Sequence, residues 1–113
     1  MAFVDLKAAF NLVQRALLWG RLRSMGVSPP ILEALVALHT DIYAQIQWGT
    51  KEELTHQVPI NRGVWLGCVL APTLFSLFVN NVGAHLLKCS HDCPSVGGLE
   101  TPIVMFADDS III

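Results

Sequence analysis

The residues best suited to chemistry in this sequence are two adjacent carboxylates near the end of the chain. Asp108 and Asp109 lie between two apolar, β-favouring runs at residues 103–106 and 111–113. We therefore expect them at the tip of a tight hairpin with buried arms. Aspartate is a common turn residue, so a plain structural turn is one interpretation. The alternative is functional, because adjacent carboxylates repel each other and a bound cation would hold them together.

A third carboxylate, Asp5, ends an apolar segment near the N-terminus, where residues 2–6 predict a short buried strand. If neighbouring strands brought Asp5, Asp108 and Asp109 together, the three carboxylates could hold two Mg²⁺ ions, which prefer oxygen ligands. Such a site activates an attacking hydroxyl and stabilises the leaving oxygens in phosphoryl transfer. A salt bridge from Asp5 to Lys7 or a nearby arginine is the competing interpretation. Spacing alone does not choose between them.

A second group of candidate ligands lies in a predicted connector at residues 88–101. Cys89, His91 and Cys93 could ligate zinc, but structural zinc sites usually have four ligands at wider spacing, so we favour a polar loop. No serine or cysteine has a recognisable base near it in sequence, and no glycine-rich phosphate loop is present. The carboxylates are therefore the main candidates.

Helices are predicted at three places in the chain. Apolar residues recur at three- and four-residue steps over residues 8–25, which predicts an amphipathic helix. Ser28, followed by two prolines, predicts the start of a second helix that extends to about Leu38. Pro72 can open a third helix that reaches about Leu87.

The remaining segments predict strands and loops. Alternation over residues 42–48 is typical of a half-buried strand, and residues 54–60 can return antiparallel across a loop at residues 49–53. Gly63 and Gly67 mark a loop that needs unusual backbone angles or a close approach to another segment. The resulting order of elements predicts an α+β fold rather than alternating βαβ units.

The composition indicates one domain with unusually few charges. The 113 residues are 53% hydrophobic and only 14% charged, with a mean hydropathy of +0.54, whereas charged residues usually make up about 25%. This excludes a disordered tail, and we expect either an interior piece of a larger protein or a membrane protein. Residues 63–87 carry no formal charge and are long enough to span a bilayer, but their glycines, proline and asparagines favour a buried helix after a loop.

Charge and cysteine content constrain the partners and the compartment. Residues 1–30 hold four basic side chains and one acidic one, whereas residues 31–113 hold three basic and eight acidic ones. This balance argues against strong nucleic-acid binding by the chain alone. Three cysteines without framework spacing argue against a disulfide-stapled secreted domain. We therefore expect an intracellular protein, nuclear or cytoplasmic, in a reducing compartment.

Three segments, taken in order, resemble the central palm motifs of reverse transcriptases, most closely those of non-LTR (LINE-type) retrotransposons. They are DLKAAF at residues 5–10, the glycine-containing segment at residues 63–72 and FADD at residues 106–109. The resemblance implies a polymerase palm, in which a small antiparallel sheet is backed by helices. It also implies an RNA-directed DNA polymerase that extends a DNA primer 3′-hydroxyl with deoxynucleoside triphosphates (dNTPs) on an RNA template.

The resemblance also assigns roles to individual residues. Asp5 and Asp108 match the metal ligands, with Asp109 as their companion. The implied metal is Mg²⁺, for which Mn²⁺ can substitute. Phe10 matches the bulky residue that packs against the sugar and excludes a 2′-hydroxyl, and packing in a helix core is its alternative role.

The segment around Gly67 matches the loop that faces the incoming nucleotide, but it departs from the family pattern. The family usually has Arg-Gln where this chain has Trp65 and Leu66, and a leucine side chain forms no hydrogen bond near the nucleotide. Asn11 and the Asn-Asn pair at residues 80–81 are further departures. Together they suggest a decaying copy of a retroelement.

We expect residues 1–113 to form a partial reverse transcriptase palm domain, truncated at both ends and without fingers or thumb. Polymerisation depends on positioning and electrostatics, so such a piece would be inactive alone even with its metal ligands intact. Two alternatives stay open. One is a non-enzymatic interaction remnant that associates through an exposed apolar surface. The other, less favoured, is a membrane protein that spans about residues 65–87.

Overall fold

The computed structural model describes residues 1–49, 53–89, 93–106 and 108–113, which form an α+β fold. The predicted fold class is confirmed. The helices are α1 (Arg15–Ser24), α2 (Pro29–Leu38), α3 (Ala71–Val79) and α4 (Asn81–Cys89). The strands are β1 (Ala2–Asp5), β2 (Tyr43–Ala44), β3 (Gln47–Trp48), β4 (Glu53–Leu54), β5 (Val58–Pro59), β6 (Ser95–Val96), β7 (Leu99–Glu100), β8 (Ile103–Phe106) and β9 (Asp109–Ile112).

A three-stranded antiparallel sheet joins the two ends of the chain in the order β1-β9-β8. Strands β8 and β9 form the predicted hairpin, and the predicted strand at the N-terminus pairs with β9. The hairpin and the N-terminal strand are therefore confirmed, but their expected burial is wrong, since Phe3 is 78% and Phe106 84% exposed. Each arm of the hairpin contains two apolar, β-branched residues, Ile103 and Val104 in β8 and Ile111 and Ile112 in β9, which favour strand formation. Asp108 lies in the turn, and Ala107 lies outside the described residues.

Helix α1 begins at Arg15, so the predicted helix over residues 8–25 is wrong in its first half. Ala8 adopts a left-handed backbone conformation with φ 53°, which does not continue into a right-handed helix. The carbonyls of Phe10 and Val13 accept hydrogen bonds from the N–H groups of Val64 and Gly63, at 2.9 and 2.8 Å. Residues 8–13 are therefore turns that pair with a distant loop.

Helix α2 confirms the second predicted helix, and of the two expected start signals, the serine cap and the prolines, only the prolines are confirmed. The Ser28 side chain makes no capping hydrogen bond, whereas the Ser28 carbonyl accepts one from Leu32 N–H at 3.1 Å. Two prolines occupy the first turn, where their fixed φ suits a helix and no N–H group is needed. The prolines, not a serine cap, define this helix start.

The predicted third helix, from Pro72 to Leu87, is wrong as a single element, because the segment is divided at Asn80 between two nine-residue helices, α3 and α4. Asparagine forms competing local hydrogen bonds and so favours helix ends, and the break falls at the Asn80–Asn81 pair. Within the described part of the chain, no helix is both long enough and apolar enough to cross a membrane.

The predicted hairpin in the middle of the chain is present as two short ladders, β2 with β5 and β3 with β4. The Thr55 hydroxyl also accepts a hydrogen bond from Ile46 N–H at 2.8 Å. However, only Ile42 of residues 42–48 is half-buried, and the others, Trp48 among them, are exposed on both faces, so the expected half-burial is wrong for most of the strand. Most of its predicted loop, residues 50–52, lies outside the described residues.

The predicted connector at residues 88–101 contains regular structure. Cys89 ends α4, and β6 and β7 form a short antiparallel hairpin in which Ser95 pairs with Glu100. The connector is therefore more ordered than expected in its described part. Residues 90–92, which include His91, lie outside the described residues.

The buried core lies between α1, α2, α3 and the loop before α3. Its members are apolar residues that lie on the facing sides of these elements: Val13, Leu18, Leu22, Leu32, Val64, Ala71, Leu74 and Phe75. Arg21 further connects α1 with α3, since its guanidinium donates to the Phe78 carbonyl and lies 5.4 Å from the centre of the Phe78 ring. The three-stranded sheet lies beside the helices, where Ile103 and Met105 line a cavity together with Phe75 and Gly83.

Candidate active site

Two of the three predicted carboxylates lie side by side on adjacent strands. Asp5, the last residue of β1, is the direct partner of Asp109, the first residue of β9. Side chains of directly opposed residues in an antiparallel pair lie on the same face, with Cβ atoms about 4.5–5.5 Å apart. Both residues are exposed. The sheet therefore presents a pair of carboxylates at one end of its outer face.

Asp108, the third predicted carboxylate, lies in the turn that precedes β9. Its carbonyl accepts a hydrogen bond from Leu6 N–H at 3.1 Å, which ties the turn to the end of β1. The Asp108 side chain is half-buried. Leu6 and Asp108 thus extend the strand pairing by one hydrogen bond beyond the Asp5–Asp109 pair.

We call the surface around the carboxylate pair the acidic face. It is the side of the three-stranded sheet that carries Phe3, Asp5, Val104, Phe106, Asp109 and Ile111. A cavity of about 450 Å³ lies on this face and is lined by all six residues. Phe106 is 84% exposed and Phe3 78% exposed. The acidic face is therefore a shallow, mostly apolar surface with negative charge at one end.

Carboxylates are suitable ligands for a hard divalent cation, but the structure places only two of the three predicted carboxylates opposite each other. Asp5 and Asp109 supply carboxylate oxygens from one face, which are the ligands that Mg²⁺ prefers. Over the part of the chain that the structure describes, no group of three histidine, cysteine or acidic side chains is close enough to hold a metal ion. The expected three-carboxylate cluster is thus represented by a cross-strand pair, with Asp108 in the adjoining turn.

The second predicted segment is the glycine loop, which we define as residues 60–68. Gly63 and Gly67 have φ values of +87° and +91°, so the prediction of unusual backbone angles is confirmed. A Cβ atom at Gly63 would lie only 2.7 Å from the carbonyl oxygen of Asn11, so the predicted close approach is confirmed too. Leu66, a predicted nucleotide contact, is 67% exposed. It lines a cavity of about 520 Å³ together with Gly67, Leu38, His39, Trp65 and Cys68.

Phe10, the third predicted nucleotide contact, lies in the turns before α1 and not on the helix. It is half-buried, and its ring is tilted by 32° to that of Phe75, with the ring centres 4.7 Å apart. Phe75 belongs to the buried core. The structure therefore shows Phe10 packed against α3, with part of its surface exposed.

Arg15 is a residue of the site region that the sequence analysis missed. Its guanidinium donates hydrogen bonds to the carbonyls of Gly63, Ile60 and His39 at 2.8, 2.9 and 2.7 Å, and to that of Arg62 at 3.4 Å. Burial lowers the pKa of this guanidinium below its usual range. The sequence contains no signal for this role, because the carbonyl partners are 24 to 48 residues away and the start of α1 at Arg15 is visible only in the structure.

The candidate zinc ligands are placed only in part. Cys89 is exposed at the end of α4 and Cys93 is half-buried. His91 lies outside the described residues, so the zinc interpretation and the polar-loop interpretation both stay predictions.

The fold and the carboxylate pair together define a class of protein. Helices together with a small antiparallel sheet, which carries acidic residues at the adjoining ends of two strands, are consistent with part of a polymerase palm. The family model described as reverse transcriptase (RNA-dependent DNA polymerase) matches residues 1–113, and the chain belongs to this family. A comparison with curated proteins found no match. The family and its RNA-directed DNA polymerase character, predicted from the three motifs, are thus confirmed.

Membership of the family carries general properties. Reverse transcriptases use divalent metal ions and bind a nucleic-acid template, a primer and dNTPs.

Proposed function

We propose that this chain is the catalytic palm of a non-LTR (LINE-type) reverse transcriptase, which transfers a nucleotide from a dNTP to a primer 3′-hydroxyl on an RNA template. The observation that carries the proposal is the register that pairs Asp5 with Asp109, with Asp108 in the adjoining turn. A metal-dependent nucleotidyl transferase needs carboxylates that converge from separate parts of the chain, and the β1–β9 pairing supplies two of them.

Asp5, Asp108 and Asp109 are the residues that would hold Mg²⁺ or Mn²⁺. When bound, the cation lowers the pKa of the attacking hydroxyl and stabilises charge on the departing phosphate oxygens. The carboxylates provide the negative charge that binds the cation, and the sheet backbone fixes Asp5 and Asp109 relative to each other before substrate arrives. The apolar side chains of the acidic face would lie next to the primer end and limit water around the reacting groups.

The nucleotide would contact Phe10, Leu66 and Gly67. Leu66 offers no hydrogen bond, so binding there would depend on apolar contact and on the exposed backbone of Gly67. RNA template and DNA primer are the proposed partners, and the proposed location is intracellular, in the nucleus or cytoplasm. Because the chain has a net charge of −2, we expect weak nucleic-acid binding by this polypeptide alone.

Mn²⁺ titration followed by electron spin resonance tests the metal site. We expect Asp5→Asn, Asp108→Asn and Asp109→Asn each to weaken Mn²⁺ binding by at least about tenfold, because each removes one carboxylate charge from the site. Glu33→Gln is the matched control, since Glu33 is an exposed carboxylate on α2. Unchanged Mn²⁺ binding in all three aspartate variants would show that this end of the sheet is not a metal site.

A primer-extension assay with Mg²⁺ or Mn²⁺ tests the activity of the chain by itself. We expect no processive synthesis, since only seven basic residues are available to hold template and primer. Processive synthesis by the purified chain would contradict this expectation and would support a self-sufficient polymerase.

A second candidate function is supported by the large exposed aromatic side chains of the acidic face, Phe3 and Phe106. A non-enzymatic interaction remnant would use this apolar surface to associate with a partner. The two candidates differ in the titration above: a metal-dependent signal that disappears in the aspartate variants favours the polymerase site. Association that survives the same variants, in a chain that binds no Mn²⁺, favours the remnant.

A further inference from the structure

Arg15 connects α1 with the glycine loop and with the end of α2. Arg15 Nε donates to the Gly63 carbonyl, while Nη1 donates to the carbonyls of Ile60 and His39. Nη2 lies 3.4 Å from the Arg62 carbonyl. Three of these carbonyls belong to the glycine loop, and the fourth follows the end of α2. The planar guanidinium, with several donors in fixed directions, is suited to this kind of multiple contact, whereas an ammonium group is not.

The position of Arg15 is unfavourable for the helix that it begins. Positive charge at the first residue of a helix opposes the helix dipole, whereas Arg21 and Arg23 in the last turn of α1 interact with it favourably. Arg15 also makes its long-range contacts in a partly buried setting. The contacts with the glycine loop, and not local helix stability, therefore explain the presence of an arginine here.

The same loop is held from a second side by the turns before α1. Gly63 N–H donates to the Val13 carbonyl and Val64 N–H to the Phe10 carbonyl. The backbone of Gly63 is thus fixed at both its N–H and its C=O group, the latter by Arg15. Beyond Val64 the loop leads to Leu66 and Gly67, which are exposed and have no comparable contact from Arg15 among the described hydrogen bonds.

We propose that Arg15 is the positioning residue of the glycine loop: by binding the carbonyls at residues 60–63 it fixes the direction in which Leu66 and Gly67 are presented. Arg15 acts through the loop and does not touch the nucleotide. The link to nucleotide binding rests on the proposed function, whereas the control of loop geometry by Arg15 does not.

Amide hydrogen exchange of the full chain tests the positioning itself. In Arg15→Gln we expect the Gly63 and Val64 amides to exchange at least about tenfold faster than in the unaltered chain, relative to the Leu74 amide inside α3. Arg15→Lys should show a smaller acceleration, because lysine keeps the charge but not the fork of donors. Arg23→Gln, which changes an exposed arginine on the same helix, should leave the ratio unchanged.

Two outcomes would overturn the proposal. The first is an unchanged exchange ratio in Arg15→Gln. The second is equal acceleration of the Gly63, Val64 and Leu74 amides in both Arg15 variants, because that would make Arg15 a support of the whole fold and not of this loop.

Binding of a fluorescent dGTP analogue in the presence of Mg²⁺ then connects the loop to the proposed function. At urea-free conditions in which every variant is folded, we expect Arg15→Gln to weaken binding about fivefold, with partial recovery in Arg15→Lys and no effect of Arg23→Gln. Equal binding by the unaltered chain and Arg15→Gln would overturn the role of Arg15 in nucleotide positioning. No binding by the unaltered chain would instead contradict the proposed function, and the exchange ratios would still decide whether Arg15 fixes the loop.

Discussion

At the scale of single residues, the orientation of the two carboxylates follows from their neighbours in the strands. Val4 pairs with Ser110, and Ile103 with Ile112, on the side of the sheet that is at least partly buried. Because side chains alternate between faces, this pairing sends Asp5 and Asp109 to the opposite, exposed face. If the pairing of one strand shifted by one residue, its partly buried apolar side chains would become exposed and its carboxylate would turn inward. Burial of apolar groups and exposure of charge therefore favour the same register.

Ser110 is the residue of this sheet whose burial carries a cost. Its hydroxyl is buried and has no hydrogen-bond partner among the described residues. An unpaired buried hydroxyl costs about 1–3 kcal/mol, so we expect Ser110→Ala to raise the free energy of unfolding by about 1 kcal/mol, as measured by urea denaturation.

A matched serine provides the control for this prediction. Ser24 is exposed at the end of α1, and its hydroxyl donates to the Arg21 carbonyl at 2.7 Å. Ser24→Ala should lower the free energy of unfolding slightly, by about 0.5 kcal/mol. A loss of stability in Ser110→Ala would mean that the Ser110 hydroxyl is paired in solution.

At the scale of elements, the glycine loop and the turns before α1 approach so closely at Gly63 that the backbone there leaves no room for a side chain. We expect Gly63→Ala to lower the free energy of unfolding by about 3 kcal/mol or more. The substitution has two costs: backbone strain, because φ at residue 63 is left-handed, and a steric clash, because the added Cβ atom would lie 2.7 Å from the Asn11 carbonyl oxygen. Urea denaturation of the variant chain measures the effect.

Substitution of Gly26 distinguishes the backbone strain from the steric clash. Gly26 has the same φ of +87° as Gly63, but a Cβ atom there meets nothing within 4 Å. Gly26→Ala should therefore cost only the backbone strain, about 1–2 kcal/mol. Equal losses in the two variants would show that the loop moves away from Asn11 without cost.

The elements that could be predicted from sequence are those whose cause is local. Prolines at residues 29 and 30 define the start of α2, and the β-favouring runs around the Asp-Asp pair define a hairpin. The start of α1 could not be predicted in this way. Apolar spacing at Phe10 and Val13 fits a helix, but their carbonyls bind N–H groups some fifty residues further along the chain, and periodicity contains no information about such partners.

The candidate site shows the same division between local and distant causes. Sequence places Asp108 and Asp109 in one hairpin, yet only the ladder between β1 and β9 determines that Asp109 lies opposite Asp5. The four carbonyls bound by Arg15 come from segments that are 24 to 48 residues away, so composition and spacing could not assign that role.

At the scale of the whole molecule, the chain is extended and exposes much apolar surface. Its radius of gyration is 17.9 Å, against about 13 Å for a compact chain of this length. Its accessible surface is 8612 Å², against about 6,100 Å² for a folded monomer of this mass. Within the described residues, the buried apolar core excludes the three-stranded sheet. The low share of charged residues, 14%, is in keeping with this large apolar surface.

The acidic face is where this exposure should have a measurable effect. Phe106 is on β8, an edge strand of the sheet, and an exposed apolar edge favours association with other chains. Burial of one such side chain contributes about 1.5–3 kcal/mol. We therefore expect Phe106→Thr to weaken self-association by at least about tenfold in sedimentation equilibrium. Its free energy of unfolding should change by less than about 0.5 kcal/mol, because the side chain is already in water.

Val69→Thr is the control that distinguishes a specific surface from general stickiness. Val69 is 92% exposed and lies just before α3, and it does not belong to the acidic face. It should not change self-association if the acidic face is the surface that associates. An equal weakening in both variants would attribute association to scattered apolar exposure, and the sheet would then have no special role. Association that requires Phe106 would instead mean that the carboxylate pair lies beside a surface the chain covers when it assembles, so that metal binding and assembly should compete.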